Sequence, residues 1–105
     1  MAQFGIYQNK NAATAKLYPY VIDLQTDLLS ALKTTVVAPV CAAQVYTGQH
    51  LKDLCLQIDI GGEPHLVFIH QLAGVDRMVL GRECGSAAQH RSALISAIDF
   101  LLSGV

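Results

Sequence analysis

Apolar and polar residues alternate through most of this chain, and a period of about 3.6 residues replaces the alternation only near its end. Residues 3–8 alternate with Phe4 and Ile6 on one face and predict a strand. The polar run Asn9-Lys10-Asn11, with Thr14 and Lys16, reads as an exposed hairpin loop leading to a second strand over residues 17–24. Pro19 has no N–H for a ladder, which places that part of the strand at an edge or a bulge. Residues 26–33 are ambiguous, because Leu28, Leu29 and Leu32 fit one helical face in a segment of barely two turns. Residues 34–40 are β-branched and predict a strand ending near Pro39. Residues 42–53 mix Tyr46, Gly48 and His50 with polar neighbours, as a long loop of the kind that often carries function does.

The second half is more sharply marked. Residues 54–60 and 65–70 flank Gly61-Gly62-Glu63-Pro64, a hairpin signal because paired glycines accept positive φ. Residues 76–80 predict a short strand, and residues 81–85 a lead into a helix. Ser86 and Gln89 have capping-box spacing, and the helix is expected over residues 87–102, about 16 residues and roughly 24 Å long. Leu94, Ile95, Ile98, Leu101 and Leu102 form its apolar stripe, with Ser92, Ser96, Asp99 and Ser103 opposite. Gly104 suits a left-handed helix cap. Strands followed by one segregated helix predict an α+β or small-barrel domain spanning residues 1–105.

Composition changes this picture in one respect. The chain is 52% hydrophobic and only 14% charged, sparse for the surface of a monomer, so a second copy is expected to cover part of it. The formal net charge of −1 provides no broad basic field for nucleic acid or acidic lipid, and no direct nucleic-acid site is expected. Cys41, Cys55 and Cys84 are odd in number and lack a C-x-x-C pair, and they read as reduced, buried thiols. The start of the chain has no basic-then-apolar leader and no run reaches 18 apolar residues, so a cytoplasmic protein without a membrane segment is expected.

Candidate chemistry is thin. His65 and His70 lie five apart on one predicted strand and face opposite ways, while His50 sits on a loop and His90 in the first helical turn. Asp59, Glu63, Asp76 and Glu83 show no spacing that singles out an acid–base pair. Phosphate-loop, nucleophile-elbow and zincin motifs are missing. The chain is therefore expected not to be an enzyme and to hold no metal or cofactor, which leaves surfaces for a partner. The doublet Leu28-Leu29 reads first as ordinary core. Ser103-Gly104-Val105 reads equally as a plain helix cap or as a held contact.

Several blocks, in order, resemble the CcdB family of toxins: Gln3-Phe4 with Tyr7, Asp23-Leu24-Gln25-Thr26-Asp27-Leu28-Leu29, Val37-Ala38-Pro39-Val40, Ile58-Asp59-Ile60-Gly61-Gly62-Glu63, Gln71-Leu72-Ala73-Gly74-Val75, and the ending from Ala97 to Val105. The resemblance implies an SH3-like barrel with a mainly antiparallel sheet and one C-terminal helix. It also implies the toxin of a type II toxin–antitoxin module, a homodimer that binds the DNA gyrase A subunit and traps cleaved DNA until a cognate CcdA-type antitoxin neutralises it. By position, Ser103, Gly104, Val105, Asp99, Leu28 and Leu29 correspond to the gyrase contact, and Leu94, Ile98 and Leu101 are expected at the dimer interface. Ser103 stands where the family's best-known ending has Trp, and losing an aromatic anchor costs about 2 kcal/mol of binding. The resemblance therefore also admits an inactive relative that only binds antitoxin. The rival reading is an RNA-cleaving toxin on the related MazF-type barrel.

Overall fold

The computed structural model describes residues 3–45 and 54–104. Its elements follow as β1 (Gly5–Asn9), β2 (Tyr20–Asp23), β3 (Thr34–Ala42), β4 (Cys55–Ile60), β5 (Glu63–Phe68), β6 (Ala73–Asp76), β7 (Leu80–Ser86) and α1 (Arg91–Ser103). All strand pairs are antiparallel, in the order β4-β5-β3-β2-β1-β7, with β6 also on β3. This is the expected α+β small barrel, a mainly antiparallel sheet closed by one C-terminal helix.

β3 is the hub of the sheet. One edge pairs with β2 through residues 37–40, while the other serves β6 through residues 34–37 and β5 through residues 40–42. Pro39 lies between those two partners. Leu24 N–H donates to Val36 O, which makes Ile22↔Ala38 and Tyr20↔Val40 the hydrogen-bonded pairs with β2. The N–H that Pro39 lacks would therefore have faced the opposite edge, at the gap between β6 and β5. So a proline is tolerated inside a central strand, and β3 runs on to Ala42 instead of ending near residue 39.

Period-2 alternation fills two faces. Ile6↔Ile22↔Ala38 point into the main core with Val40, Ile58, Val67, Ile69 and the helix residues Leu94 and Ala97. Their neighbours Tyr7, Val21 and Val37 form a smaller cluster with Leu80 on the other side. Cys41, Leu66 and Phe68 make a third. The Gly61-Gly62 turn is as expected, with φ of +62° and +83° joining Ile60 to Glu63.

Other boundaries also differ from the sequence reading. β2 begins only after Pro19, whose carbonyl accepts from Asn9 N–H. Residues 77–79 are a 3-10 turn capped by Asp76, and the strand expected there instead occupies residues 80–86, over the stretch read as a lead-in. The helix starts at Arg91, four residues late, because residues 88–90 form a separate 3-10 turn.

Candidate functional site

Residues 27–29 form a single 3-10 turn, too short to make the continuous face on which three leucines would bury. Thr26 Oγ1 caps it by accepting from Leu28 N–H. Ordinary core was the first reading of Leu28-Leu29, and the structure reverses it: Leu28 is 91% exposed, Leu29 44% and Leu32 48%. Exposure does not mean looseness here. Asp27 Oδ1 accepts from Gln3 N–H at 2.8 Å. Arg77 donates from Nε to Leu32 O at 2.6 Å and from Nη2 to Leu29 O at 3.2 Å, while its N–H reaches Lys33 O. Its Nη1 lies 3.9 Å from Oδ2 of Asp23, a buried carboxylate whose Oδ1 accepts from Thr35 Oγ1 at 2.6 Å and from Gln25 N–H.

The end of α1 is held differently. Leu94 and Ala97 are buried in the main core, and Ile95, Ile98 and Leu101 pack half-buried against it. Gly104 takes φ +75° and donates its N–H to Phe100 O, closing the helix with the expected left-handed cap. Ser103 Oγ donates to Asp99 O, and both residues are exposed. Val105 lies outside the described residues. The capping box does not form: Ser86 Oγ accepts from Ala88 N–H and serves the preceding 3-10 turn, while Gln89 Nε2 sits beside His90.

Of the residues expected at a dimer interface, Leu94 has no exposed surface, because it points into the core of its own chain. Ile98 and Leu101 keep partial exposure. Leu102, assigned to the packed stripe from its spacing, is 78% exposed. Thirteen residues of helix turn through several revolutions, and a stripe drawn five residues wide overestimates the face that one small core can cover.

The leucine turn and the helix are tied to one dipeptide. Gln3 N–H bonds the turn at Asp27, and Phe4 O accepts from Ala87 N–H at the helix lead-in. Phe4 has φ +66°, a costly value for an aromatic residue, and its N–H bonds Asp23 O while Arg91 lies over its ring at 6.0 Å.

The ionisable groups are dispersed. His65 is buried with Nδ1 2.9 Å from Glu63 O, and its ring lies edge-on to Tyr20. His70 lies in the 3-10 turn after β5 rather than on the strand, with a buried Nδ1 that finds no hydrogen-bond partner among the described residues. His50 is outside the described residues. Asp59 and His90 share a polar cleft of about 190 Å³ with Gln57 and Gln89. Burial raises the pKa of the Cys41 thiol, and burial together with the neighbouring Cys41 raises that of Cys55, so neither is an activated nucleophile. Among the described residues no three His, Cys, Asp or Glu side chains gather as a metal site, and no helix is long and apolar enough to cross a membrane.

Similar proteins place this geometry in context. Residues 3–104 match the family model described as CcdB protein. The Mycobacterium tuberculosis toxin MazF-mt6 superimposes with a TM-score of 0.73 at 20% identity, covering 93% of this chain and 95% of its own. An endoribonuclease from a mycobacterial species gives 0.74 at 10% identity, over 97% and 90%. Another, in complex with its cognate antitoxin, gives 0.73 at 9% identity, over 97% and 94%. These likenesses correct the expectation that the chain is not an enzyme, since proteins named as endoribonucleases share its fold almost end to end. The motifs whose absence prompted that expectation serve proteolysis, esterolysis and nucleotide hydrolysis. RNA carries its own nucleophile in the 2′-hydroxyl and needs none of them. In fold the chain lies with these toxins, and by the match over nearly its whole length it belongs to the CcdB family of toxins.

Proposed function

We propose that this chain is the toxin of a type II toxin–antitoxin module that binds the A subunit of DNA gyrase and traps the gyrase-cleaved DNA complex. In this reading it acts in the cytoplasm as a homodimer until a cognate antitoxin neutralises it. The observation that carries the reading is Leu28, a large apolar side chain 91% exposed on a turn fixed to the sheet. Leaving it in water forgoes about 2 kcal/mol of burial, an arrangement suited to a partner that supplies the missing contact. Leu28, Leu29, Asp99, Ser103, Gly104 and Val105 make the contact set. Ile98 and Leu101 face the second copy, with Leu94 supporting the helix from behind. An antitoxin partner is supported by the fold-sharing endoribonuclease found with its own.

Deleting residues 103–105 is expected to leave a folded dimer with an unchanged helix signal and to abolish gyrase-dependent cleavage of supercoiled DNA. A truncated chain that still traps cleaved DNA refutes this contact set. RNA cleavage is the second reading, favoured by the polar cleft that Asp59 and His90 both line. Expression in cells with sensitive and resistant gyrase separates the two, because poisoning kills only the former and RNA cleavage kills both.

A further inference from the structure

We propose that the free edge of β4 takes an added strand, an extended segment of a partner protein that brings a lysine or arginine to Asp59. The inference is independent of the gyrase reading and uses surface outside that contact set. The hairpin fixes which backbone groups are free. Gly61 and Gly62 both have positive φ, the tight turn that makes Ile60↔Glu63 a hydrogen-bonded pair. Bonded pairs recur at every second residue of an antiparallel ladder, so Ile58↔His65 and Leu56↔Val67 are bonded as well. The N–H and C=O groups of Cys55, Gln57 and Asp59 therefore point to the other side, at the margin of the sheet, where no described residue pairs with them.

Other margins of the sheet are blunted. The pairing of β7 with β1 shifts register twice, and β7 contains Gly81, Arg82 and Gly85. β6 is only four residues long and runs directly into the 3-10 turn at residues 77–79. β4 has none of these protections: its six residues stay in register with β5 and contain no proline, glycine, lysine or arginine. Such an edge is a template for a strand, with main-chain bonds supplying affinity and side-chain sites choosing the sequence.

The choosing site is the cleft of about 190 Å³. Gln57 and Asp59 line it from the exposed face of β4, Ile58 from the face turned to the core, and Gln89 and His90 from the turn before α1, so it opens along the free edge. With histidine neutral, Asp59 carries the one formal charge among these five residues. Asp59 is exposed, and among the described residues no cation pairs with it. A second copy of β4 would bring another Asp59 and no cation, so the occupant that fits is a basic strand from a different chain.

The test uses the full chain and a short capped peptide that alternates valine and threonine around a central lysine, with amide exchange followed by NMR. At millimolar peptide, exchange at Gln57 and Asp59 is expected to slow by about fivefold or more, while Leu56 and Ile58, already bonded to β5, stay unchanged. N-methylating one alternate set of peptide amides should abolish the effect, and methylating the other set should preserve it, because only one set faces β4. Replacing the lysine by glutamate is expected to weaken binding about fivefold, and Asp59→Lys to reverse that preference. Unchanged exchange at Gln57 and Asp59 refutes the edge. Equal effects of the two methylated sets refute strand pairing, and equal binding of lysine and glutamate peptides refutes the basic occupant. Protection already present in the chain alone and lost on dilution would make β4 a face between copies, which refutes the proposal too. No outcome involves gyrase, so this inference and the gyrase reading fail separately.

Discussion

The turn at residues 27–29 and the end of α1 both present apolar side chains to solvent, but opposite forces hold them there. The turn owes its position to hydrogen bonds from side chains on other elements, with a buried carboxylate behind Arg77 and a main-chain bond from Gln3. The helix end owes its position to volume, through Leu94 and Ala97 in the core and a glycine that closes the helix. A polar lock is specific in direction and fails when one partner is removed, since the partner left behind is buried without compensation. An apolar lock is not directional and weakens in proportion to the atoms deleted. A surface that must keep its shape over a few residues is served by the first, and a long lever by the second.

Removing volume from the helix lock is expected to have the largest effect. Leu94→Ala should destabilise the fold by about 2–5 kcal/mol, because the site lies at the centre of the core and cannot collapse fully. Urea denaturation measures it, and a loss under about 1 kcal/mol contradicts the view that packing holds the helix. Asp23→Ala attacks the polar lock and should cost about 2–3 kcal/mol, since Thr35 and Arg77 both lose their carboxylate. Its signature differs in place as well as size. Amide exchange should accelerate first at Leu29, Ser30 and Leu32, whose N–H groups bond within the turn, before it accelerates in α1. Uniform acceleration across turn and helix would mean that the two regions share one lock. Gly104→Ala comes next at about 1 kcal/mol. A Cβ there meets nothing, so the cost is purely that of holding φ at +75°.

The sequence showed the helix region far better than the turn. Helical periodicity, the closing glycine and the Gly61-Gly62 hairpin are local signals, and the structure has all three within a few residues of their expected places. The helix start was misplaced because Ser86 and Gln89 satisfy a spacing rule that the chain uses for a preceding 3-10 turn. At the turn, what decides the exposure of Leu28 is Arg77, 49 residues away, together with the carboxylate of Asp23. No periodicity records that partnership. Leu28-Leu29 therefore looked like core from spacing, and only the family resemblance pointed to it as a contact. Leu102 looked packed because a helical stripe does not reveal where its core ends.

The smallest expected effect on stability is the most informative about partners. Leu28→Ser and Leu102→Ser each replace a side chain that is already mostly in water, so either should change stability by no more than about 0.5 kcal/mol. Equal silence in stability then isolates what each residue does outside its own chain. Leu28 sits on the rigid turn and is expected to lose gyrase-dependent cleavage when changed, with sedimentation unaffected. Leu102 lies on the helix one turn beyond the half-exposed Ile98 and next to the half-exposed Leu101, the face assigned to the second copy. Its change should shift sedimentation toward the monomer and reduce cleavage only as the dimer is lost, so that raising the protein concentration restores it. Rescue by concentration for Leu102→Ser and none for Leu28→Ser would separate a surface that assembles the toxin from one that engages its target. The reverse pattern would exchange their roles, and the polar lock would then be a device for pairing copies.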